Sequence, residues 1–459
     1  MKKAFVCKNC APMTQVSCRV LRQLTFLQRT RTLTVYICAI SKAMFSPFGW
    51  KQTTMKMYCG VFLLRSESCI MRKSNKDWVK IMKQSSVEQF LRELEVLVNI
   101  DSGLGAPEGA DRVGELLSQP LTERGWLLER HKVSDKCGHC FVLKNREAEH
   151  YDVLMIGHID TVFPAGEAQK RPFTRDEKRA YGVGVLDMKQ GCLAMVWVLK
   201  ALPAEVLNKL NIVVIFNPDE EIGSPYSKDL TDSYACISDC ALVYEAASNC
   251  VTRCIQRKGM TRLAVAFTGK AGHAGYAFEN GGINAVNEMA YWICELAKYH
   301  NAKTGTTVNA GVARGGQAAN IIPNYAELEL DIRYETMAEM KKIEAVLEDL
   351  IRHAAQAGVG LVEKKRRMTP AMEPNEKTQA LCTLAKEITE DMGYTFQLKK
   401  RGGLSDANHI AACGCATLDA LGPTGDFDHS EDEYLELSTI QPNLEFSYRL
   451  LCRLADQKE

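Results

Sequence analysis

The stretch Asn211-Ile-Val-Val-Ile-Phe216, which runs on into Asp219-Glu220-Glu221, decides the fold of this chain. A short uninterrupted apolar run is typical of a strand that is buried on both faces of a sheet. Two adjacent carboxylates at the mouth of such a strand are costly unless a cationic group lies between them. The stretch therefore predicts an α/β fold with a cation held at the end of a buried strand.

Elsewhere in the chain, further polar residues follow apolar runs or glycine-rich turns. They are His158 and Asp160 after Val153-Leu-Met-Ile156, Asp187 after Gly182-Val-Gly184-Val-Leu, Glu245 after Ala241-Leu-Val-Tyr244, and His429 in Phe427-Asp-His-Ser430. Open α/β sheets bind ligands at the carboxyl ends of their strands, so these side chains are expected to meet there. Two histidines, one aspartate and two glutamates suit a pair of zinc ions bridged by one carboxylate.

Composition places the chain among ordinary globular proteins. It has 459 residues, with 46% apolar and 25% charged, which allows two or three domains. Residues 84–459 carry 41 basic and 54 acidic side chains, so a general nucleic-acid-binding face is not expected. No run of about 18 apolar residues predicts a membrane span. The 18 cysteines form no disulfide-type framework, which favours reduced thiols and a cytoplasmic location.

The first 83 residues differ from the rest. They hold 16 basic and 2 acidic residues and show no clear periodicity. Transit peptides share this bias, but the segment is long and rich in cysteine for one. We therefore interpret residues 1–83 as an atypical extension outside the fold, and we expect translation to start at Met71 or Met82. The Cys-x-x-Cys pairs Cys7/Cys10 and Cys137/Cys140 lack a second pair at zinc-ribbon spacing.

Regular patterns begin near residue 86. Apolar residues recur at helical spacing from Val87 to Val98, and a second amphipathic stretch covers 110–124. Strands are then expected at 140–144, 152–157, 211–216 and 241–244, with a helix at 188–201. The same style returns in helix 376–391, strand 416–421 and helix 436–453. This alternation predicts a discontinuous α/β domain, residues 84–257 and 369–459, with a mainly parallel sheet.

Between residues 258 and 368 the pattern changes. Apolar residues alternate with polar ones at Leu263, Val265 and Phe267, and again around Leu330, which is typical of strands with one solvated face. Helices are expected at 283–299 and 337–357. The order strand–helix–strand–strand–helix–strand predicts an inserted ferredoxin-like α+β domain.

Five motifs together resemble the zinc metallopeptidases that include bacterial glutamate carboxypeptidase, acetylornithine deacetylase and succinyl-diaminopimelate desuccinylase. The motifs are Gly157-His-Ile-Asp-Thr-Val-Phe163, Gly184-Val-Leu-Asp-Met-Lys-Gln-Gly191, Asp219-Glu-Glu-Ile-Gly223, Gly269-Lys-Ala-Gly-His-Ala-Gly275 and Gly315-Gly-Gln-Ala-Ala-Asn-Ile-Ile-Pro323. The resemblance covers roughly residues 86–455. The run His-x-Asp-Thr-Val-Phe-Pro and the glutamate at position 245 make the glutamate carboxypeptidase branch the nearest.

The resemblance implies a role for each residue of the site. His158 and Glu245 would hold one zinc, Glu221 and His429 the other, and Asp187 would bridge them. Asp160 would fix the tautomer of His158, and Glu220 would be the general base. If the chain stays extended at this point, Glu220 and Glu221 point to opposite sides.

Further roles implied by the resemblance fall in the small domain, which would act as a lid and dimerise. His273 would stabilise the oxyanion in the other subunit of a homodimer. Asn320 and Arg333 would contact substrate, with Arg333 suited to a terminal carboxylate. Arg366 or Arg367 would add a second carboxylate contact, and the glycines of Gly402-Gly-Leu-Ser405 would let the backbone approach the substrate.

Other interpretations of these residues stay open. Asp187 could cap helix 188–201, Glu245 could be a lone surface acid, His429 could be a surface histidine in an acidic loop, and Arg333 could pair with Asp331 or Glu335. The function expected first is a dinuclear zinc hydrolase that cleaves a peptidyl or N-acyl amino acid with a free carboxylate. The alternatives are an N-acyl amino acid deacylase and a non-catalytic metal-binding dimer. Cobalt or manganese could replace zinc.

Overall fold

The structure is a computed structural model that describes residues 84–249 and 251–458. Expectations for residues 1–83, including Cys7, Cys10, Met71 and Met82, lie outside the described residues. A six-stranded sheet forms the centre of the α/β part and is called the central sheet. In spatial order its strands are Leu127–Ser134, Gly138–Lys144, Ile212–Asn217, Tyr151–His158, Ser238–Val243 and Ala416–Leu418. The last four are parallel, and the first two add an antiparallel pair at one edge.

The central sheet is buried because its apolar side chains alternate between two cores. Val153 and Met155 pack into one core, whereas Leu154 and Ile156 pack into another. All six residues of Ile212–Asn217 are buried, which confirms the strand expected there. Each Å² of apolar surface that is buried stabilises a fold by about 25 cal/mol. Because these strands bury apolar side chains on both faces, they contribute strongly to the stability of the protein.

Helices cover both faces of this sheet. One core is covered by Gln84–Val98, Pro107–Thr122, Lys189–Ala201, Glu376–Asp391 and Ile440–Asp456, and the other by Lys228–Cys236 and Ala407–Ala412. Short helices Glu167–Lys170 and Ala204–Lys209 join strands. Within the described ranges, no helix combines the length and the apolar character that crossing a membrane requires.

A second sheet, called the small sheet, is formed between residues 259 and 369. Its antiparallel strands are, in spatial order, Thr307–Gly315, Tyr325–Tyr334, Gly259–Thr268 and Gly360–Thr369. Helices Ala285–Ala297 and Met337–Arg352 pack on one face and share a separate apolar core with Leu263, Val265 and Phe267. The elements follow the expected order, with the short helix Ala277–Asn280 added before the first long one.

Short strands complete the structure around the mouth of the central sheet. A five-stranded sheet contains Thr174–Arg175, Arg179–Tyr181, Tyr434–Glu436, Gly422–Asp426 and Ala246–Ala247, and a parallel pair joins Gln397–Leu398 to Thr252–Arg253. These segments connect chain regions that are more than 100 residues apart, which only the folded sheet brings together.

Several expectations for the elements were wrong. Strand Leu127–Ser134 was not expected, because its charged residues give an edge strand no apolar pattern. Helix 337–357 ends at Arg352, since the following amides of Ala355 and Gln356 bond the Glu288 carboxylate instead. The strand expected at 416–421 ends at Leu418, because the next residue, Asp419, forms a buried ion pair with Arg257. Helix 436–453 begins only at Ile440, after a 3₁₀ turn.

Candidate metal centre

His158 is the last residue of a buried central strand and is itself buried. Its Nδ1 lies 3.3 Å from Oδ1 of Asp160, and its Nε2 lies 3.0 Å from Oδ1 of Asp187 and 3.8 Å from Oε1 of Glu245. One ring nitrogen therefore faces the supporting carboxylate, and the other faces two further carboxylates. Burial disfavours the charged ring, but the bonds to Asp160 and Asp187 outweigh it and raise the pKa of His158 well above its usual value.

Asp187 lies directly before helix Lys189–Ala201, at the end of a glycine-rich turn. The buried Glu433 carboxylate holds this turn, accepting bonds from the backbone N–H of Gly184 (3.1 Å), Leu186 (2.8 Å) and Asp187 (3.0 Å). Gly184 has φ 68°, a conformation that favours glycine. Sequence reasoning missed Glu433, because it stands in a run of acids with no pattern that marks one of them.

Glu220 and Glu221 follow the strand Ile212–Asn217. The expectation that they point to opposite sides of an extended chain was wrong, because Glu220–Ile222 is a 3₁₀ turn that ends at Gly223. Asp160 clamps this turn: its Oδ1 accepts the N–H of Glu220 at 3.2 Å, and its Oδ2 accepts that of Glu221 at 3.0 Å. The same carboxylate thus fixes both the turn and His158.

A second support lies behind the turn. The buried Asp406 carboxylate accepts bonds from Asn217 Nδ2 at 2.7 Å and Ser224 Oγ at 2.6 Å. These bonds tie the end of the strand to the residue after the turn. Asp406 was also missed, since Ser405-Asp406 reads only as the start of a helix.

Glu245 lies two residues beyond strand Ser238–Val243, and His429 lies in the loop after Gly422–Asp426. Nε2 of His429 is 3.0 Å from Oδ2 of Asp187 and 3.2 Å from Oε2 of Glu221. His429 adopts φ 62°, which is uncommon outside glycine and is held here by the folded loop. The bonds to Asp187 and Glu221 raise the pKa of His429 to about 11.

The five candidate ligands form two groups that share Asp187. His158, Asp187 and Glu245 make one group, and Asp187, Glu221 and His429 make the other. Within each group the donor atoms lie within 4.8 Å of one another. One Asp187 oxygen faces each histidine, which is the arrangement a bridging carboxylate needs.

The donor set fits divalent cations. Imidazole nitrogen and carboxylate oxygen are ligands that zinc takes. Oε1 of Glu221 is buried and has no hydrogen-bond partner among the described residues. Burial is the main cause that raises the pKa of Glu221 to about 7 and that of Glu245 to about 8, and a cation bound beside these carboxylates would offset that burial and keep them ionised.

Glu220 differs from the five candidate ligands around it. In the part of the chain that the structure describes, its carboxylate has no hydrogen bond and no ion pair, yet it lines the same cavity of about 440 Å³. Burial, together with Glu245, Asp406 and Glu221, raises its pKa well above the usual value. Such a group is free to exchange a proton with a bound molecule.

The structure does not bring His273, Asn320 and Arg333 to this cavity within one chain. His273 is exposed, caps a short 3₁₀ turn through Gly275 N–H, and lies beside Asn320, whose carbonyl accepts Ala274 N–H at 2.9 Å. Arg333 bonds Asp331 through Nε (2.7 Å) and Nη2 (3.1 Å) on the small sheet.

The structure separates Arg366 from Arg367. Arg366 forms ion pairs with Glu344, Glu348 and Glu363 at 2.8–2.9 Å. Arg367 forms no hydrogen bond or ion pair within residues 84–249 and 251–458, and it packs over Gly223, where a Cβ would lie 1.1 Å from Nη2. Burial and the nearby Arg262 lower the pKa of Arg367. Of the two arginines, only Arg367 is available for an anionic ligand.

Comparisons with known proteins agree with this geometry. Residues 154–453 match the model of peptidase family M20/M25/M40. Carboxypeptidase G2 of Pseudomonas sp. is 31% identical over 376 residues, which cover 80% of this chain and 90% of that protein. Acetylornithine deacetylase of Edwardsiella ictaluri is 28% identical over 375 residues, covering 76% and 93% respectively.

Solved structures share the fold. The aminopeptidase PepT of Bacillus cereus superimposes with a TM-score of 0.64 at 20% identity, covering 80% of this chain and 99% of PepT. The M20 family metallo-carboxypeptidase Sso-CP2 of Sulfolobus solfataricus gives 0.59 at 16% identity, covering 82% and 100%. The family model matches well over half of the chain, and one relative exceeds 30% identity over four fifths of it. The chain therefore belongs to peptidase family M20/M25/M40 and is an enzyme of the metallopeptidase and amidohydrolase class.

Proposed function

We propose that the protein is a dinuclear metal hydrolase that releases an amino acid with a free carboxylate, glutamate first, from a peptidyl or N-acyl compound. One observation carries the proposal: Asp187 is shared by two three-residue donor groups, beside a Glu220 carboxylate that has no hydrogen bond or ion pair within residues 84–249 and 251–458. The 31% identity to carboxypeptidase G2 supports a carboxypeptidase-like activity.

In this proposal His158 and Glu245 would hold one metal, Glu221 and His429 would hold the other, and Asp187, which both donor groups share, would serve both. When bound, two zinc ions (or cobalt or manganese) supply Lewis acidity and lower the pKa of water at the site towards neutrality. Asp160 keeps Nε2 of His158 directed at the metal by accepting from Nδ1. Glu433 performs the equivalent task for Asp187 by fixing its backbone.

Glu220 acts as the general base. Its carboxylate takes the proton of the attacking water and passes it to the nitrogen of the leaving amine. The Glu220–Ile222 turn is held by Asp160, so the carboxylate stays beside the metal ligands without becoming one of them. Positive charge at the neighbouring ligands would lower its raised pKa towards the working pH, where a base is most effective.

The small sheet supplies the remaining contacts. We propose that residues 258–368 form a lid and dimerisation domain on a catalytic domain of residues 84–257 and 369–459. Arg367, beside Glu220, binds the carboxylate of the released amino acid, with Arg333 and Asn320 as further contacts. His273 is exposed next to Tyr276 and Phe278, which are 60% and 101% exposed, so a second copy of the chain is the proposed setting in which it stabilises the oxyanion.

A deacylase for another N-acyl amino acid is the second candidate, and the acetylornithine deacetylase relatives favour it. A cytoplasmic location is also proposed, and the eleven described cysteines, all free thiols, support it.

The test is release of free amino acid by the metal-loaded protein from two substrates, an acyl- or pteroyl-glutamate and N-acetylornithine. Glutamate release that requires the metal is the expected result. Faster release of ornithine would move the function to the deacylase. No release from either substrate, with two equivalents of metal bound, would contradict the proposed hydrolase.

A further inference from the structure

One wall of the cavity is positively charged and is not used by the proposed mechanism. It consists of Lys399, Arg401 and Ser248, called here the basic wall, and it lines the same cavity as Glu245 and His429. Nζ of Lys399 lies 3.2 Å from Oγ of Ser248, and Nη2 of Arg401 lies 3.3 Å from that same oxygen. Two cations therefore converge on a single neutral hydroxyl group.

The backbone holds these two cations in place. Gln397–Leu398 pairs with Thr252–Arg253, and the N–H of Lys399 continues that pairing to the carbonyl of Arg253 at 3.0 Å. The N–H of Arg401 bonds the carbonyl of Gln256, also at 3.0 Å. The positions of Lys399 and Arg401 are therefore set by main-chain bonds on both sides of the segment.

The neighbouring basic residues Arg257 and Lys400 have carboxylate partners, whereas the side chains of Lys399 and Arg401 donate only to neutral oxygens among the described residues. Arg257 is buried against Asp419 at 2.5 Å, and Lys400 pairs with Glu335 at 2.9 Å. Arg401 Nη2 also bonds the Ala246 carbonyl at 2.6 Å. Among the described residues, no carboxylate pairs with Lys399 or Arg401. Like charges this close repel each other, and an anion between them removes that cost.

The rest of the cavity leaves room for such an anion. Gly402 and Gly403 follow Arg401, and a Cβ at Gly402 would meet no atom within 4 Å. Their backbone N–H groups make no hydrogen bond in the described structure and add donors beside the two cations. The acids Asp426 and Asp428 also line the cavity, but they lie on the segment that leads to His429.

The basic wall and Arg367 have different neighbours among the residues around the candidate metal ligands, because the basic wall lines the cavity with Glu245 and His429. Arg367 packs over Gly223, at the end of the Glu220–Ile222 turn, and does not line this cavity. With Arg367 assigned to the carboxylate of the released amino acid, the basic wall is left for the other end of the substrate. That end is the acyl group.

We propose that the basic wall binds an anionic group on the acyl side, so that the preferred substrate is charged on both sides of the scissile amide. The inference rests on the proposed function. It narrows the acyl groups of the substrates to those that end in an anionic group, either a carboxylate or a phosphonate. Nη2 of Arg401 is occupied by Ala246 and Ser248, but its Nε and Nη1 make no hydrogen bond among the described residues and can donate to the anion, and Lys399 adds a point charge.

The test compares matched acyl-glutamates with the metal-loaded protein. N-succinyl- and N-butyryl-glutamate have acyl chains of equal length, as do the glutaryl and valeryl pair, and only the first of each pair is charged. A 3-phosphonopropionyl analogue separates a carboxylate from a phosphate preference. The wild type is expected to favour the charged member at least about 10-fold in kcat/KM. The double variant Lys399→Met/Arg401→Met is expected to bring that ratio close to one.

The control removes two positive charges elsewhere. Lys341→Met/Lys364→Met changes exposed lysines on helix Met337–Arg352 and strand Gly360–Thr369, and it is expected to keep the wild-type ratio. Equal kcat/KM for charged and uncharged substrates in the wild type would overturn the inference and leave the hydrolase standing.

A binding measurement separates the inference from the proposed function. Calorimetric titration of the metal-loaded protein with glutarate and with butyrate is expected to show tighter binding of glutarate, which the Lys399→Met/Arg401→Met variant loses. If no substrate is cleaved but this difference is seen, the hydrolase fails and the anion site stands. If glutarate and butyrate bind equally to the wild type and the variant, the anion site fails.

Discussion

The two walls of the cavity carry opposite charges and are built in different ways. The acidic wall takes its groups from five separate places in the chain, each at a strand end or a turn: His158, Asp187, Glu221, Glu245 and His429. The basic wall comes almost entirely from one short segment around Lys399 and Arg401. The acidic wall is fixed by the central sheet, whereas the basic wall is fixed by a two-residue strand pairing.

The difference also appears in what supports each charged group. Asp160, Glu433 and Asp406 are buried carboxylates whose only visible task is to hold backbone or side chains of the acidic wall. Among the described residues the basic wall has no such carboxylates; its two cations share the Ser248 hydroxyl group, and Arg401 also donates to the Ala246 carbonyl. The candidate metal ligands are thus held in place by a further layer of buried carboxylates, whereas the two cations proposed to select the substrate have less support.

The largest effect is expected at Glu220, which lines the cavity beside the acidic wall. Glu220→Gln removes the base but keeps the shape, so kcat should fall by about 10²–10⁴-fold. Metal content should stay at two equivalents, because Glu220 belongs to neither donor group. Steady-state kinetics and metal analysis check both. A kcat within a few-fold of wild type would remove Glu220 from the role of base.

The support behind the acidic wall is expected to matter next. Asp160→Asn turns one acceptor oxygen into a donor, which then faces a backbone N–H of the Glu220–Ile222 turn. Metal affinity should weaken about 10–100-fold, as found for groups that orient metal ligands. Competition with a chelator measures it. Asp176→Asn is the matched control, since Asp176 accepts two backbone N–H groups at an exposed turn instead. Equal affinity in both variants would reject the positioning role.

A third prediction concerns the two neighbouring arginines of the small sheet. Arg367→Met should raise KM for an acyl-glutamate by roughly 10-fold or more, because it removes a charged partner of the carboxylate. Arg366→Met should leave KM near wild type and lower the free energy of unfolding by about 1–3 kcal/mol, since its ion pairs with three glutamates are lost. A raised KM for Arg366→Met with an unchanged KM for Arg367→Met would show that Arg366, and not Arg367, binds the carboxylate.

The smallest effect at neutral pH is expected at the buried His409, because its contribution to stability changes only below about pH 6.5. Burial is the main cause that lowers its pKa to about 4, so the unfolded chain binds a proton between about pH 6.5 and 4 that the folded chain does not. Stability should therefore fall as the pH falls through this window, by up to about 1.4 kcal/mol per pH unit. Urea unfolding of wild type and His409→Gln should diverge in that range. Parallel curves would show that His409 titrates normally.

The sequence allowed the acidic wall to be predicted well. Its members before residue 250 follow an apolar run or a glycine turn, and the carboxyl ends of parallel strands meet by geometry. The role of His429 came from the family resemblance. The structure places His158, Asp187, Glu221, Glu245 and His429 in two adjoining groups. The expectation of an extended chain at Glu220 failed, because bonds from Asp160, sixty residues away, select a 3₁₀ turn that no local pattern signals.

The supporting carboxylates and the basic wall could not be predicted, for a physical reason. Glu433 looks like its acidic neighbours until the fold brings three backbone N–H groups to it. Lys399 and Arg401 read as a solvated basic run until their neighbours Arg257 and Lys400 are seen to be paired and they are not. In both cases the role of a charged side chain depends on partners that are distant in the sequence.

The loop between Asp426 and Tyr434 supplies both His429, a candidate ligand, and Glu433, which holds the turn before Asp187. It follows the last strand of the central sheet, Ala416–Leu418. His158 and Glu221 precede this loop by more than 200 residues in the sequence. The second donor group needs His429, so it can form only after this loop has been synthesised and has folded against the turn that holds Asp187.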